Sequence, residues 1–251
     1  MNGLIGFFDI LGYQNFLENN SAMKSALDVL EIITDMPKKI NYFTSSITEH
    51  LLPGDRVLHE SLSHLVFSDT IVFTLSYPED VDESWMNRAR TFMASCSALL
   101  AAEMFEKGLP IRGVIHEGEF ITKDMCIAGK GIVEAYRLCA SLDISGIVFS
   151  QELGNKMLKL VDDESKLVSS RFIFPYLTPL NNGSECRLVN INWFNYMFDF
   201  KHQNDVEAYV LESFWAHQKD CSNAVETKLR NTTKLIRKML QIRRTEDNNR
   251  N

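Results

Sequence analysis

The 251 residues are 45% hydrophobic and 24% charged, with 12 Gly and 6 Pro, a composition that excludes collagen-like, low-complexity and wholly disordered chains. With 26 Lys and Arg against 33 Asp and Glu, the net charge is −7, which argues against a general nucleic-acid binder. No apolar run reaches the ~18 residues of a membrane span, so no direct membrane insertion is expected.

The opening MNGLIGFFDILG is apolar from the start, lacks a basic leader and carries Asp9, so it reads as a buried strand from Leu4 to Ile10 and not as a secretory signal. Gly12 breaks it. A helix starts near Tyr13, pauses at Asn19-Asn20-Ser21 and resumes from Ala22 to about Thr34, with Ser21 as N-cap. Strands Ser63 to Phe67 and Thr70 to Ser76 form a hairpin around Ser68-Asp69. A long helix from Glu83 to Lys107 is stopped by Gly108 and Pro110. Ile111 to Phe120 reads as a strand pair or strand-turn punctuated by Gly113 and Gly118. A glycine-rich turn at Gly129 opens a helix that runs to Ala140, and a short strand follows from Gly146 to Ser150. Gln151 to Val161 is helical. Arg171 to Leu177 and Arg187 to Ile191 pair around the turn Asn181-Asn182-Gly183. Asp205 to Arg243 gives one or two helices, and Thr245 to Asn251 reads as disordered. Strands and helices mix without strict alternation, so the fold class is α+β, helices over a largely antiparallel sheet.

Five cysteines, at 96, 126, 139, 186 and 221, include no CxxC pair and no zinc spacing, so reduced thiols in the cytoplasm are expected. From Glu226 onward eight Lys and Arg stand against three Asp and Glu. This basic surplus is either a solvated helix face or a docking surface for an acidic neighbour.

Two carboxylates carry the chemistry. Asp9 ends an apolar strand and Asp69 sits in the turn of an apolar hairpin; a carboxylate among buried apolar residues needs compensation. Each alone has an ordinary reading, as a helix cap or a turn residue. If the hairpin lies beside the first strand, the two together could hold one or two hard divalent cations, with the Ile10 carbonyl as a further oxygen ligand. Such a site suits triphosphate chemistry.

Phe7-Phe8-Asp9-Ile10-Leu11-Gly12-Tyr13 resembles the F-x-D-I-x-G-[FY] opening of the class III nucleotidyl cyclases. Ser68-Asp69 matches that family's G-D hairpin with Ser for Gly. Ile111 to Gly118 is similar to its R-x-G-I-H-x-G strand, Ala135-Tyr136-Arg137-Leu138 to its A-x-R-L helix end, and Gly146 to Ser150 to the strand that follows. The resemblance runs in order from residue 4 to about 150. It implies a ferredoxin-like β-α-β-β-α-β core, a head-to-tail homodimer, and two Mn²⁺ or Mg²⁺ ions per active site held by Asp9, Asp69 and Ile10. Arg137 would reach across the dimer to the α-phosphate. Phe8, Tyr13, Leu65, Cys126 and Lys130 would lie against the nucleotide.

The departures from the pattern bear on the substrate. Val133 replaces the ribose-orienting Asn of purine cyclases, and Leu65 replaces their purine-reading Lys or Glu; Cys126 keeps half of a guanine code. With the short chain and helical C-terminus, this resembles the bacterial pyrimidine cyclases of Pycsar anti-phage systems. That resemblance implies conversion of UTP, in preference to CTP, into a 3′,5′-cyclic messenger that activates a separate effector. An adenylyl or guanylyl cyclase with an atypical base pocket, and an inactive nucleotide-binding regulator, are the alternatives. The expected organisation is a catalytic domain over 1–195, a helical extension over 196–244 and a tail over 245–251. Other readings stay open: Arg112 as ion pair or triphosphate contact, His116 as structural or proton-transferring, Lys130 as solvated or phosphate-binding, Tyr13 as core packing or base stacking. The aromatic run Trp193 to Phe198 is core or dimer interface.

Overall fold

The computed structural model describes residues 1–19, 26–36, 38–40, 56–124, 126–162, 168–197, 205–219 and 223–248. Its centre is β1 (Asn2–Ile10), apolar on both faces and therefore covered on both. It pairs antiparallel with β3 (Thr70–Ser76) on one side and with β4 (Ile111–Glu119) on the other. The edge strand β2 (Leu62–Phe67) pairs antiparallel with β3. The resulting order β2-β3-β1-β4, with helical chain between β1 and β2 and between β3 and β4, is a split β-α-β arrangement. Beyond β4 the sheet continues through β7 (Gly146–Phe149), which runs parallel to β4. It ends with β9 (Glu185–Ile191) and β8 (Ile173–Pro179), completing seven strands. A separate hairpin pairs β5 (Ile121–Lys123) with β6 (Cys126–Ala128). The fold is thus α+β with a mainly antiparallel sheet.

Because successive side chains in a strand point to opposite faces, β1 divides its residues between two layers. Leu4, Phe8 and Ile10 enter the main core. There they join α3 (Glu83–Glu106), whose first turn is capped by Asp82 accepting from the Trp85 amide at 2.7 Å. Ile5 and Phe7 face the other way, into a smaller cluster with Phe120, Ala135 and Ile132. Ala135 and Ile132 belong to α4 (Lys130–Ser141). The shorter helices are α1 (Tyr13–Asn19), α2 (Arg56–Ser61) and α5 (Gln151–Val161). The last two are α6 (Val206–Trp215) and α7 (Asn223–Asn248). Val210, Phe214, Leu235, Ile236 and Met239 are buried in the main core, together with Trp193 and Phe194. Among the described residues, no helix is long and apolar enough to cross a membrane.

Three expectations change. Ile111–Glu119 is one continuous strand, not a strand-turn. Gly113 is there for space: a Cβ on it would stand 2.4 Å from Cδ1 of the Phe8 ring. The last helix runs on to Asn248, where disorder was expected from Thr245. The Ser21 cap, Phe198 and residues 249–251 lie outside the described residues.

One buried ion pair ties the helical layer to the sheet. Arg90, 1% exposed, donates from Nε and Nη2 to the two carboxylate oxygens of Glu117, both at 2.9 Å. Burial alone would push the Glu117 pKa up, but hydrogen bonding and charge from Arg90, with Lys156 beside it, hold it below the usual glutamate value. Glu117→Gln should destabilise the fold by about 2–4 kcal/mol, since the buried Arg90 loses its bidentate carboxylate and keeps only Glu83 and the Asn87 side-chain oxygen, on Nη1. A depressed carboxylate contributes stability above its unfolded pKa and loses it as pH falls through the folded one. Urea denaturation from about pH 6 to about pH 3 should therefore show a shallower acid loss in Glu117→Gln than in the parent chain.

Candidate active site

The register of β1 decides where the carboxylates meet. Asp9, the penultimate residue of the strand, stands opposite Thr70 on β3 and Arg112 on β4. Asp69 immediately precedes β3, and its carbonyl accepts the Ile10 amide at 2.9 Å, which fastens the hairpin tip to the end of β1. The Leu11 amide donates to the Pro110 carbonyl at 2.9 Å. Gly12 then turns the chain at φ +77, a left-handed conformation that favours glycine. Asp9, Asp69, Ile10 and the segment from Leu11 to Asn15 line one cavity of about 370 Å³. Ser68, at φ 55, holds the hairpin position where the cyclase pattern has Gly.

Arg112 reaches Asp9 Oδ2 with Nη2 at 2.7 Å and Nε at 2.8 Å. Its Nη1 donates to the Ala140 and Leu142 carbonyls at 3.1 and 3.3 Å. Of the two readings open for Arg112, the structure shows the ion pair. Burial raises the Asp9 pKa, Arg112 pulls it back down, and the Asp69 charge adds to the rise. Burial and the same Asp69 charge raise the Tyr13 phenol. A carboxylate whose ionisation a second carboxylate's charge opposes, with backbone oxygen at the same cavity, is a donor set suited to a hard divalent cation. Among the described residues no group of three or more His, Cys, Asp or Glu forms a metal cluster.

The remaining predicted residues fall into three places. Phe8 is fully buried, its ring centroid 5.3 Å from that of Phe73, and it does not line the carboxylate cavity. Tyr13 is mostly buried against Phe16 and lines the carboxylate cavity. Leu65 and Cys126 are brought together in a separate hollow of about 120 Å³, with Ser63, His64, Thr122 and Asp124 around them. Arg137 is exposed on α4 with no hydrogen bond or ion pair among the described residues, and Val133 is exposed one turn before it. Lys130 is also exposed, its Nζ 3.4 Å from Glu134. His116 Nε2 lies 3.1 Å from the same residue. Neither Arg137 nor Lys130 lines the carboxylate cavity of its own chain.

Sequence reasoning missed the other wall of that cavity: Phe214, Lys219, Val225 and Lys228, all from the C-terminal region. Lys219 is buried, and its Nζ donates to the Gly108 and Ser213 carbonyls. Its stem passes 3.1 Å from where a Gly12 Cβ would stand. Lys228 Nζ lies 3.1 Å from Asp143 Oδ1. The signal was present in the spacing of Val225, Lys228, Thr232 and Leu235 along one helical face, which puts a lysine on the inward stripe.

No protein-family model matches the chain, and no curated protein matches it. Several solved structures do resemble it. The guanylate cyclase domain of RhGC from Catenaria anguillulae in complex with GTP is 13% identical, with 76% of this chain and 95% of that one covered and a TM-score of 0.44. The adenylyl cyclase CyaB from P. aeruginosa is 17% identical over 76% and 93%, with a TM-score of 0.41. A bacterial light-regulated adenylyl cyclase is 10% identical over 76% and 90%, with a TM-score of 0.47. At these scores the functional reading rests on the residues of the chain itself.

The ion pair reverses a simple expectation. Removing Asp9 would be thought to relieve repulsion, but it leaves Arg112 without its carboxylate. Asp9→Ala should cost about 1–3 kcal/mol in the metal-free protein, because the pair is only partly exposed. Asp69→Ala should be neutral or slightly stabilising. Parallel urea titrations of both variants in chelator check the sign of the difference.

Proposed function

We propose that the chain is a metal-dependent nucleotide cyclase, acting on UTP in preference to CTP and releasing pyrophosphate. The observation that carries this is the meeting of Asp9, Asp69 and the Ile10 backbone at one cavity beside the end of β1. In this reading Asp9, Asp69 and the Ile10 carbonyl would hold divalent cations, which would supply Lewis-acid polarisation of the 3′-oxygen and charge neutralisation for the pyrophosphate.

The chain's own residues do the rest. Arg112, anchored on two carbonyls, holds the Asp9 carboxylate in one orientation. Gly12 turns the loop beneath the Lys219 stem, which leaves no room for a side chain there. As the bond from the 3′-oxygen to the α-phosphorus forms and the bond to pyrophosphate breaks, charge grows on the α-phosphate oxygens. Arg137 meets that charge with a planar guanidinium. Its exposure outside its own chain's cavity supports delivery from a second copy. Phe67, Val133 and Tyr136, apolar and uncovered, supply surface for that copy.

Leu65 and Cys126 share their hollow in a way that supports a base-reading pocket without the purine-reading Lys or Glu. Leu65 puts an apolar wall where purine cyclases have a charged reader, and a site can reject a base whose polar groups it leaves unpaired. The preference for a pyrimidine, and the place of the product as a cytoplasmic anti-phage messenger read by a separate effector, rest on the sequence resemblance to the Pycsar cyclases. A second reading, a nucleotide-binding regulator without turnover, is favoured by the Asp9–Arg112 pair, which already engages a carboxylate that a cation would need.

Incubation with equal UTP, CTP, ATP and GTP and Mn²⁺, with cyclic products quantified by mass spectrometry, should yield cyclic UMP above the others. Dominant cyclic AMP or cyclic GMP contradicts the base-pocket argument, and no cyclic product at all favours the regulator. Asp9→Ala and Asp69→Ala should each lose turnover by at least about 100-fold. Arg137→Ala should do so too. An equal mixture of Asp9→Ala and Arg137→Ala, once subunits have exchanged, should recover about a quarter of the parent activity, because half the dimers hold one intact site of two. No recovery in a mixture shown to contain heterodimers argues for sites made within one chain.

A further inference from the structure

The C-terminal segment contributes Phe214, Lys219, Val225 and Lys228 to the carboxylate cavity, so its wall is built from both ends of the chain. The cationic side chains lining it are not equivalent. Arg112 is spent on Asp9 and two carbonyls. Lys219 has its ammonium buried on the carbonyls of Gly108 and Ser213, where it joins the end of α3 to the end of α6. Lys228 is partly exposed, and its partner among the described residues is the single oxygen Asp143 Oδ1, at 3.1 Å. Asp143 does not depend on it: Asn231 Nδ2 donates to Oδ2 at 3.0 Å and to the Asp143 carbonyl at 3.1 Å. When the ammonium leaves, Asn231 still holds the other carboxylate oxygen and the backbone of Asp143.

We propose that Lys228 is a phosphate contact of this site, exchanging its resting pair with Asp143 for the terminal phosphates of a nucleoside triphosphate. The proposal rests on the nucleotide reading given above and deepens it. A flexible stem carrying a compact charge suits a ligand that arrives and leaves as a polyanion. The geometry also divides the labour: carboxylates for cations on the side of β1, a mobile ammonium for phosphate oxygens on the side of α7. Part of the basic surplus that the sequence places after Glu226 thereby faces the cavity.

The test measures binding of inorganic tripolyphosphate with Mg²⁺ by calorimetry, on the full chain, beside the KM for UTP. Lys228→Gln should weaken tripolyphosphate binding and raise KM by at least about tenfold, with kcat changed far less; Lys228→Arg should stay within about threefold of the parent. Asp143→Asn, which breaks the same ion pair from the other side and frees the lysine, should bind tripolyphosphate as tightly as the parent or up to about threefold tighter. A purely structural pair would make Lys228→Gln and Asp143→Asn lose affinity alike, and that result overturns the proposal. So does a parent chain that does not bind tripolyphosphate, or a Lys228→Gln chain with unchanged affinity. A chain that binds tripolyphosphate through Lys228 yet forms no cyclic nucleotide sinks the cyclase reading alone. An active cyclase whose tripolyphosphate affinity ignores Lys228 sinks this proposal alone.

Discussion

The antiparallel register of β1 between β3 and β4 is the constraint on which the rest depends. With Asp9 opposite Thr70 and Arg112, the Ile10 amide reaches the Asp69 carbonyl, and both carboxylates arrive at one end of the sheet. A slip of one residue would carry Asp9 to the face of Phe8 and leave it in the apolar core. The packing of Phe8 prevents the slip. Its ring lies over Gly113 and against Phe73, a fit that admits neither a side chain at 113 nor a polar group in place of the ring. Core packing on one face thus fixes the chemistry on the other.

The same coupling joins the end of the chain to its beginning. The last two helices bury apolar residues in the core shared by β1 and α3, and between them the chain sets Lys219 over Gly12. The Thr232 hydroxyl accepts the Ser145 amide at 2.8 Å, while Asn231 holds Asp143. These polar contacts lie between the turn before β7 and one face of α7, so the helix that carries Lys228 is seated by buried hydrogen bonds as well as by apolar area. The site is therefore not separable from the C-terminal region that walls it.

Much of this was legible in the sequence because its signals are local. The strand Leu4 to Ile10, the hairpin around Ser68-Asp69, the helix stopped at Gly108 and the helix Gln151 to Val161 follow from periodicity and turn residues, and they stand within a few residues of expectation. The pairing of Asp9 with Asp69 needed the hairpin to lie beside β1, and it does. What depends on long-range space was not legible. Gly113 looked like punctuation because the sequence does not show Phe8 above it. That the Phe8 ring turns into the core was not legible either, because a motif does not tell which side of the strand a residue faces. Lys228 read only as part of a basic surplus, and Lys219 drew no reading, because their partners, Asp143, Gly108 and Ser213, are remote in sequence.

The central claim is that Asp9 and Asp69 form one cation site at the end of β1. Its most direct measurement is Mn²⁺ binding by electron paramagnetic resonance, with a non-cyclisable UTP analogue present. The account predicts Mn²⁺ bound to the parent protein and lost when both Asp9→Asn and Asp69→Asn are introduced into a chain that still melts cooperatively. Undiminished Mn²⁺ binding in that folded double variant would contradict it.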